Sequence, residues 1–327
     1  MTTLTMVSAA SMQRLALKLD LPAILRSAMT AVSCGEAELP LRWALRLPQS
    51  RGMLGMMPGY YGPTDAAGIK LVSLVPPSLR DGRSSHLGLM ILYDANGLVP
   101  RAILCGATLT NLRTAAATAL ATDVLARTDA QRLAVLGTGE QADAHLSALA
   151  AVRRFDEVLI WGRQPSAARA LAERHSERFR RVTVCASADE AVAGADVVCT
   201  VTASSTPILS GASLQPGTHL NLVGSSTPDK RECDTEAVRR SRYFVDYRAS
   251  ALAQAGELLT AISEGVVTEQ HVVAEIGEVI SGRAEGRRGA ADITAYKSLG
   301  VAAQDLAVAS ALLAAAHLSG EGVKVEI

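Results

Sequence analysis

The chain has 327 residues, 49% hydrophobic and 20% charged, with 32 basic side chains against 32 acidic ones. This length implies about two domains, and the composition is that of a folded globular protein rather than a disordered one. Zero net charge, with no basic block, zinc spacing or aromatic–basic alternation, argues against a nucleic-acid partner. Five cysteines, at 34, 105, 185, 199 and 233, form no CxxC pair, which fits a reducing compartment and predicts a cytoplasmic protein. The N-terminus shows no signal-peptide pattern, and the longest apolar run, 302–318, is broken by Gln304, Asp305 and His317, so no membrane span is expected. The six histidines are scattered without HExxH or HxH, so no metal site is expected.

Residues 8–33 carry apolar side chains at helical spacing, broken at Asp20 and restarted at Pro22. From 39 to 105 the period changes to two. Segments 41–47, 68–74 and 87–94 alternate as strands, punctuated by Gly and Pro clusters at 58–63, 76–77 and 96–97. This predicts a mostly antiparallel sheet with helices. Residues 108–127 read as a helix. Strands and helices then alternate: strand 132–137, helix 141–153, strand 157–161, helix 166–178, strand 182–185, short helix 188–192, strand 197–202, and strands 219–223 and 243–246. That rhythm predicts an α/β fold, a doubly wound parallel sheet with helices on both faces. Residues 294–317 read as a long Ala-rich helix returning to the first domain.

The most specific local motif is LAVLGTGEQA, residues 133–142. A strand ends, Gly137 permits a tight turn, Gly139 lets backbone approach a pyrophosphate, and Ala142 lets the helix pack close. The helix N-terminus, with Glu140 and Gln141, offers free N–H groups and a partial positive charge to phosphates. The motif predicts dinucleotide binding. In the next strand, VLIWGR, there is no acid to bond a ribose 2′-hydroxyl. Arg163 stands there instead, with Ser166 and Arg169 nearby. A guanidinium suits a 2′-phosphate, so NADPH is expected, with NADH possible.

Five motifs in order resemble the ornithine cyclodeaminase/mu-crystallin family: RTAAAT from Arg113, GTGEQA, IWGR, VGSSTPDKRE from Val223, and YKSLGVAAQDL from Tyr296. The resemblance covers residues 40–315. It implies a Rossmann-type domain, here 121–293, plus an α+β substrate-binding and dimerisation domain, here 1–120, with 294–327 as the returning helix. It implies a homodimer acting on α-amino acids or their imino or keto forms. It assigns the substrate carboxylate to Arg42, Lys70 and Arg113, whose charges stand out on apolar or Ala-rich segments. A guanidinium fork can hold a carboxylate in two places, and a desolvated Lys70 beside two arginines becomes a better acid. Ser85, Thr114 and Lys230 match positions near the cofactor. Thr202, Val223, Gly224 and Ser298 complete the expected cofactor-binding set.

Within the family, the loop starting at Val223 discriminates. Cyclodeaminase-like loops resemble GGDCPGK, whose Asp handles the substrate amine; the matching residue here is Ser226. A neutral hydroxyl cannot serve as that base, so ornithine cyclodeaminase activity is disfavoured. Reducing a preformed cyclic ketimine needs only a held carboxylate, a hydride and a proton on nitrogen. That proton comes from Lys70 or from water held by Ser226. The expected activity is NAD(P)H-dependent reduction of Δ1-pyrroline-2-carboxylate or Δ1-piperidine-2-carboxylate to L-proline or L-pipecolate. The alternatives are an alanine-type dehydrogenase, an opine-like reductase, and a protein that binds NADPH and a small ligand without turnover. His86 is read as a polar structural residue, and Asp305 as a backbone cap or charge partner.

Overall fold

A computed structural model describes residues 2–76, 84 and 86–327, and Ser85 lies outside them. The chain divides into two compact units, Met1–Arg113 with Gly300–Ile327, and Thr114–Leu299. The breaks expected after 120 and after 293 are found at 113/114 and 299/300. The first falls inside one continuous helix, where periodicity offers no boundary to read.

The first unit begins with β1 (Thr3–Val7), α1 (Ala9–Ala16) and α2 (Leu21–Cys34). Ser8 and Asp20 cap the two helices through backbone N–H groups of Ser11 and Ala23, and Gly35, at φ +75, closes α2. There follow β2 (Ala37–Glu38), β3 (Trp43–Arg46), β4 (Met53–Tyr61), β5 (Ala66–Leu74), β6 (His86–Asp94), β7 (Val99–Cys105) and α3 (Gly106–Leu125), the helix in which the division falls. The strand order is C-terminal strand (Val323–Glu326), β1, β7, β6, β5, β4, β2, with β3 also on β4. All neighbours are antiparallel except β1 and β7. The Gly and Pro cluster at 58–63 does not end a strand as expected. β4 runs through Pro58 to Tyr61 because β3 pairs only with 53–56 and β2 only with 60–61, so Pro58 faces neither partner. The expected strand 41–47 is shorter, and Arg42 lies just before it.

The C-terminal helix, Ala302–Ser319, is long and apolar enough to cross a membrane, but most of it is buried against α2 and the sheet. Two facing glycines, Gly59 on β4 and Gly68 on β5, let it lie close. A Cβ on Gly59 would come 2.6 Å from Ala302, and one on Gly68 would come 2.9 Å from Leu306.

The second unit runs β8 (Arg132–Leu136), α4 (Glu140–Val152), β9 (Glu157–Trp161), α5 (Pro165–His175), β10 (Arg181–Val184), α6 (Ala188–Val192), β11 (Val197–Thr200), β12 (His219–Leu222), α7 (Thr235–Arg240), β13 (Ser241–Val245), α8 (Arg248–Gln254), α9 (Gly256–Ser263), β14 (Val272–Glu275), α10 (Ile276–Ile280) and β15 (Ile293–Lys297). Its strands are all parallel, in the order β10, β9, β8, β11, β12, β15, β13, β14. Alternate strand residues enter two separate cores. Leu133, Val135 and Val158 pack with side chains of α3, α4 and α5, whereas Ala134, Leu136 and Leu220 pack with those of α6, α7, α8 and α9. The sheet is therefore doubly wound, as the rhythm predicts. One expectation fails: residues 293–297 form a strand, not the start of the last helix. ITAYK is short and buried at every position, so it lacks the alternation that separates strand from helix. Strand β14 and helices α8 and α9 also escaped the sequence reading.

Candidate active site

In the first unit, the lie of the C-terminal helix decides what Lys70 meets. Lys70 follows Gly68 by two residues and so shares its face of β5. Its ammonium is buried and donates to Asp305 Oδ1 at 2.9 Å, with Oδ2 at 2.8 Å. Arg113 also donates, through Nε, to Asp305 Oδ1 at 3.1 Å, and through Nη1 to Gln304 Oε1 at 3.1 Å. Gln304 is itself held, its Nε2 lying 3.2 Å from Met29 Sδ. Burial pushes the Lys70 ammonium down from 10.5 to about 8; Arg113 pushes the same way, Asp305 opposes, and Arg42 adds a smaller downward push. The three basic residues expected to hold a carboxylate therefore share one electrostatic neighbourhood. Asp305 does not cap backbone. It pairs with two of the three cations, and Gln304, missed by the sequence reading, supports the second. No local signal marks either role, because Lys70 and Asp305 are 235 residues apart.

In the second unit, the strand order reverses on either side of β8, and the loops after β8 and β11 leave the carboxyl edge at that switch point, where doubly wound sheets bind dinucleotides. Gly137 has φ +133, and a Cβ there would come 2.8 Å from Val201 O, so both conformation and contact demand glycine. Gly139 caps α4, and a Cβ there would meet nothing within 4 Å, so its face is open. Glu140 and Gln141 open the helix, and Ala142 is fully buried beneath it. Arg163 is exposed just past β9, and among the described residues no carboxylate pairs with it.

The loop after β12 is tied down from below. The Glu232 carboxylate, fully buried, accepts from Thr202 N and Oγ1 at 2.6 and 2.7 Å, from Gly224 N at 2.6 Å, and from Thr200 Oγ1 at 2.8 Å. Burial pushes its pKa up, and the Thr202 donors and Lys297 pull it back. A Cβ on Gly224 would come 2.1 Å from Thr202 O, so the loops after β11 and β12 touch through backbone. Lys297, at the end of β15, donates to the Ser225 carbonyl at 2.6 Å and pairs with buried Glu257 at 3.1 Å. Ser225 Oγ donates to the Lys230 carbonyl at 2.5 Å, and a Cβ on Gly256 would collide with that carbonyl. Ser226 is half-buried on this braced loop, next to buried Val223 and Ser225. Thr114 Oγ1 and Ser298 Oγ are buried without a hydrogen-bond partner among the described residues. Such hydroxyls, with the open face of Gly139, fit a polar ligand such as a nicotinamide dinucleotide. Glu232, Glu257 and the bracing role of Lys297 were invisible in the sequence, since a lone acid in a loop or short helix reads as solvated.

The family model of the ornithine cyclodeaminase/mu-crystallin family matches residues 2–317. The chain belongs to that family. It is 35% identical over 289 residues to a Δ1-pyrroline-2-carboxylate reductase of Bacillus cereus, covering 88% of this chain and 89% of that one. It is 37% identical over 271 residues to the ketimine reductase mu-crystallin of Mus musculus, covering 83% and 82%. Among solved structures it superposes on a Thermococcus litoralis Δ1-pyrroline-2-carboxylate reductase, in complex with NADH and L-proline, with a TM-score of 0.94 at 30% identity over 98% of this chain and all of that one. Family membership and this likeness agree with the resemblance drawn from five motifs and with the Rossmann-type fold.

Proposed function

We propose that the protein is an NAD(P)H-dependent reductase of cyclic ketimine carboxylates, converting Δ1-pyrroline-2-carboxylate, Δ1-piperidine-2-carboxylate or both to the L-imino acids. The observation that carries this reading is the buried Lys70–Arg113–Asp305 cluster, combined with a serine where a deaminating relative would carry an acid. The likeness to relatives named for this activity supports it. Arg113 and Arg42, with Lys70 beside them, hold the carboxylate of the ligand and orient its C=N bond. Lys70, protonated below about pH 8, supplies the proton that the ring nitrogen gains. Ser226 donates a hydrogen bond and withdraws no proton, which suits reduction and not deamination. When bound, the nicotinamide cofactor supplies the hydride that the imine carbon gains. Gly137, Gly139, Glu140, Gln141, Thr202, Val223, Gly224 and Lys230 form the cofactor-binding loops, with Thr114 and Ser298 as hydroxyl partners. Arg163 selects NADPH by pairing with a 2′-phosphate, NADH remaining usable.

The test is a steady-state panel with both reduced cofactors and either ring size of imine, against pyruvate with ammonia, and against L-ornithine with the oxidised cofactors. Turnover confined to the imines supports the proposal. Turnover of pyruvate with ammonia but not of the imines overturns it in favour of an amino-acid dehydrogenase, and tight cofactor binding without turnover overturns it in favour of a binding role.

A further inference from the structure

Lys70 and Arg113 approach one another in a dry place, where like charges repel strongly and the lysine sheds its proton readily. One carboxylate touches both: Asp305 Oδ1 receives Lys70 Nζ and Arg113 Nε. The next side chain back along the helix, Gln304, receives Arg113 Nη1, and neither bond uses Nη2. On a third side stands Gly300, at φ +80, whose added Cβ would come 2.4 Å from Nη1 and 2.7 Å from Nη2. The guanidinium is thus boxed by consecutive side chains and a bare backbone, and its plane is set before any ligand arrives.

We propose that Asp305, assisted by Gln304, is a positioning residue that holds Lys70 and Arg113 at the spacing and orientation a ligand carboxylate requires. It works as a built-in counter-ion. Lys70 and Arg113 against Asp305 leave one net positive charge, and Arg42 adds a second, so the site still attracts an anion after its own carboxylate is counted. The same carboxylate keeps Lys70 charged, which a proton donor must be. The ligand's identity rests on the reductase reading above; the geometry of the three side chains does not.

The experiment compares the wild type with Asp305→Asn, Asp305→Glu and Gln304→Ala. Lys70 is titrated directly by NMR of its side-chain amine, assigned with Lys70→Met, and kcat and KM for Δ1-pyrroline-2-carboxylate are measured across pH. Asp305→Asn is expected to lower the Lys70 midpoint by about one unit or more and raise KM about tenfold or more. Asp305→Glu keeps the charge but shifts it, so KM rises while the midpoint moves little. Gln304→Ala raises KM and leaves the midpoint in place. A helix-stabilising role alone would lower the melting temperature without moving the midpoint, and an unmoved midpoint in Asp305→Asn overturns the proposal. Should that variant not fold, unchanged KM in both Asp305→Glu and Gln304→Ala overturns it. A wild type inert toward the imine would sink the reductase reading, while the Lys70 titration would still decide the role of Asp305.

Discussion

Gly300 shows how little room the cation cluster leaves. Its φ of +80 disfavours any side chain by about 1–2 kcal/mol, and a Cβ would strike the Arg113 guanidinium. Gly300→Ala is expected to raise KM for the imine about tenfold or more, with a melting temperature only a few degrees lower. Unchanged KM would show that the guanidinium plane does not matter to binding. Arg163 makes the opposite case, an exposed side chain whose neighbourhood holds no partner for it among the described residues. Arg163→Ala is expected to lower kcat/KM with NADPH about 10–100-fold and leave NADH nearly untouched. Equal losses with both cofactors would mean that the arginine does not read the 2′-phosphate. The place of Arg163 was legible because it follows its strand directly. Asp305 was visible as a residue but its partners were not, since only the fold brings it to Lys70 and Arg113.

The polar line at the heart of the parallel sheet works at the level of elements. His219 on β12 bonds Thr294 Oγ1 on β15 at 2.9 Å and Asn221 Oδ1 at 3.2 Å, and Asn221 in turn donates to Thr122 Oγ1 on α3 at 2.9 Å. These bonds lock β12 to β15 and to the helix behind them. Burial, with a smaller push from Arg287, lowers the His219 pKa from 6.5 to about 3, so the folded protein holds the ring neutral. The unfolded chain binds that proton below its ordinary pKa and the folded chain does not. The contribution is therefore complete above about pH 6.5 and is lost as pH falls toward 3. His219→Gln keeps hydrogen-bonding capacity and removes the titration. Its unfolding free energy, from urea melts between about pH 6.5 and 4, is expected to fall less steeply with acid than the wild type's, by up to about 1.4 kcal/mol per pH unit. Equal slopes would show that His219 is not the group responsible. Strand β15 itself could not be read from sequence: burial on both faces erases the period-two signal, and a short pentapeptide close to an Ala-rich run looks like the helix's first turn.

At the scale of the whole molecule, the first unit carries a surface that the described residues leave uncovered. Trp43 and Leu45 on β3 are 59% and 54% exposed, with Leu41 and Leu47 exposed at its ends. A strand with this composition at a sheet margin invites burial against another surface. This supports the homodimer that the family resemblance implies. Light scattering is expected to give twice the chain mass, and Trp43→Glu is expected to give a monomer or a dimer weakened at least tenfold. A wild type that stays monomeric at all concentrations would remove this assignment.

The sequence by itself determined the glycine turn, the alternating strands and helices of the second unit, the basic residues at 42, 70 and 113, and the serine at 226. Each of these is local: a turn needs glycine where φ is positive, a period follows from burial on one face, and a charge on an apolar segment stands out. Only tertiary structure decided that Asp305 and Gln304 clamp two cations, that Glu232 ties two loops through four donors, and that residues 293–297 are a central strand. Those facts depend on which elements lie against each other. The close seat of a helix on Gly59 and Gly68 sets that arrangement in one unit, and parallel pairing between distant strands sets it in the other, and neither leaves a period in the chain.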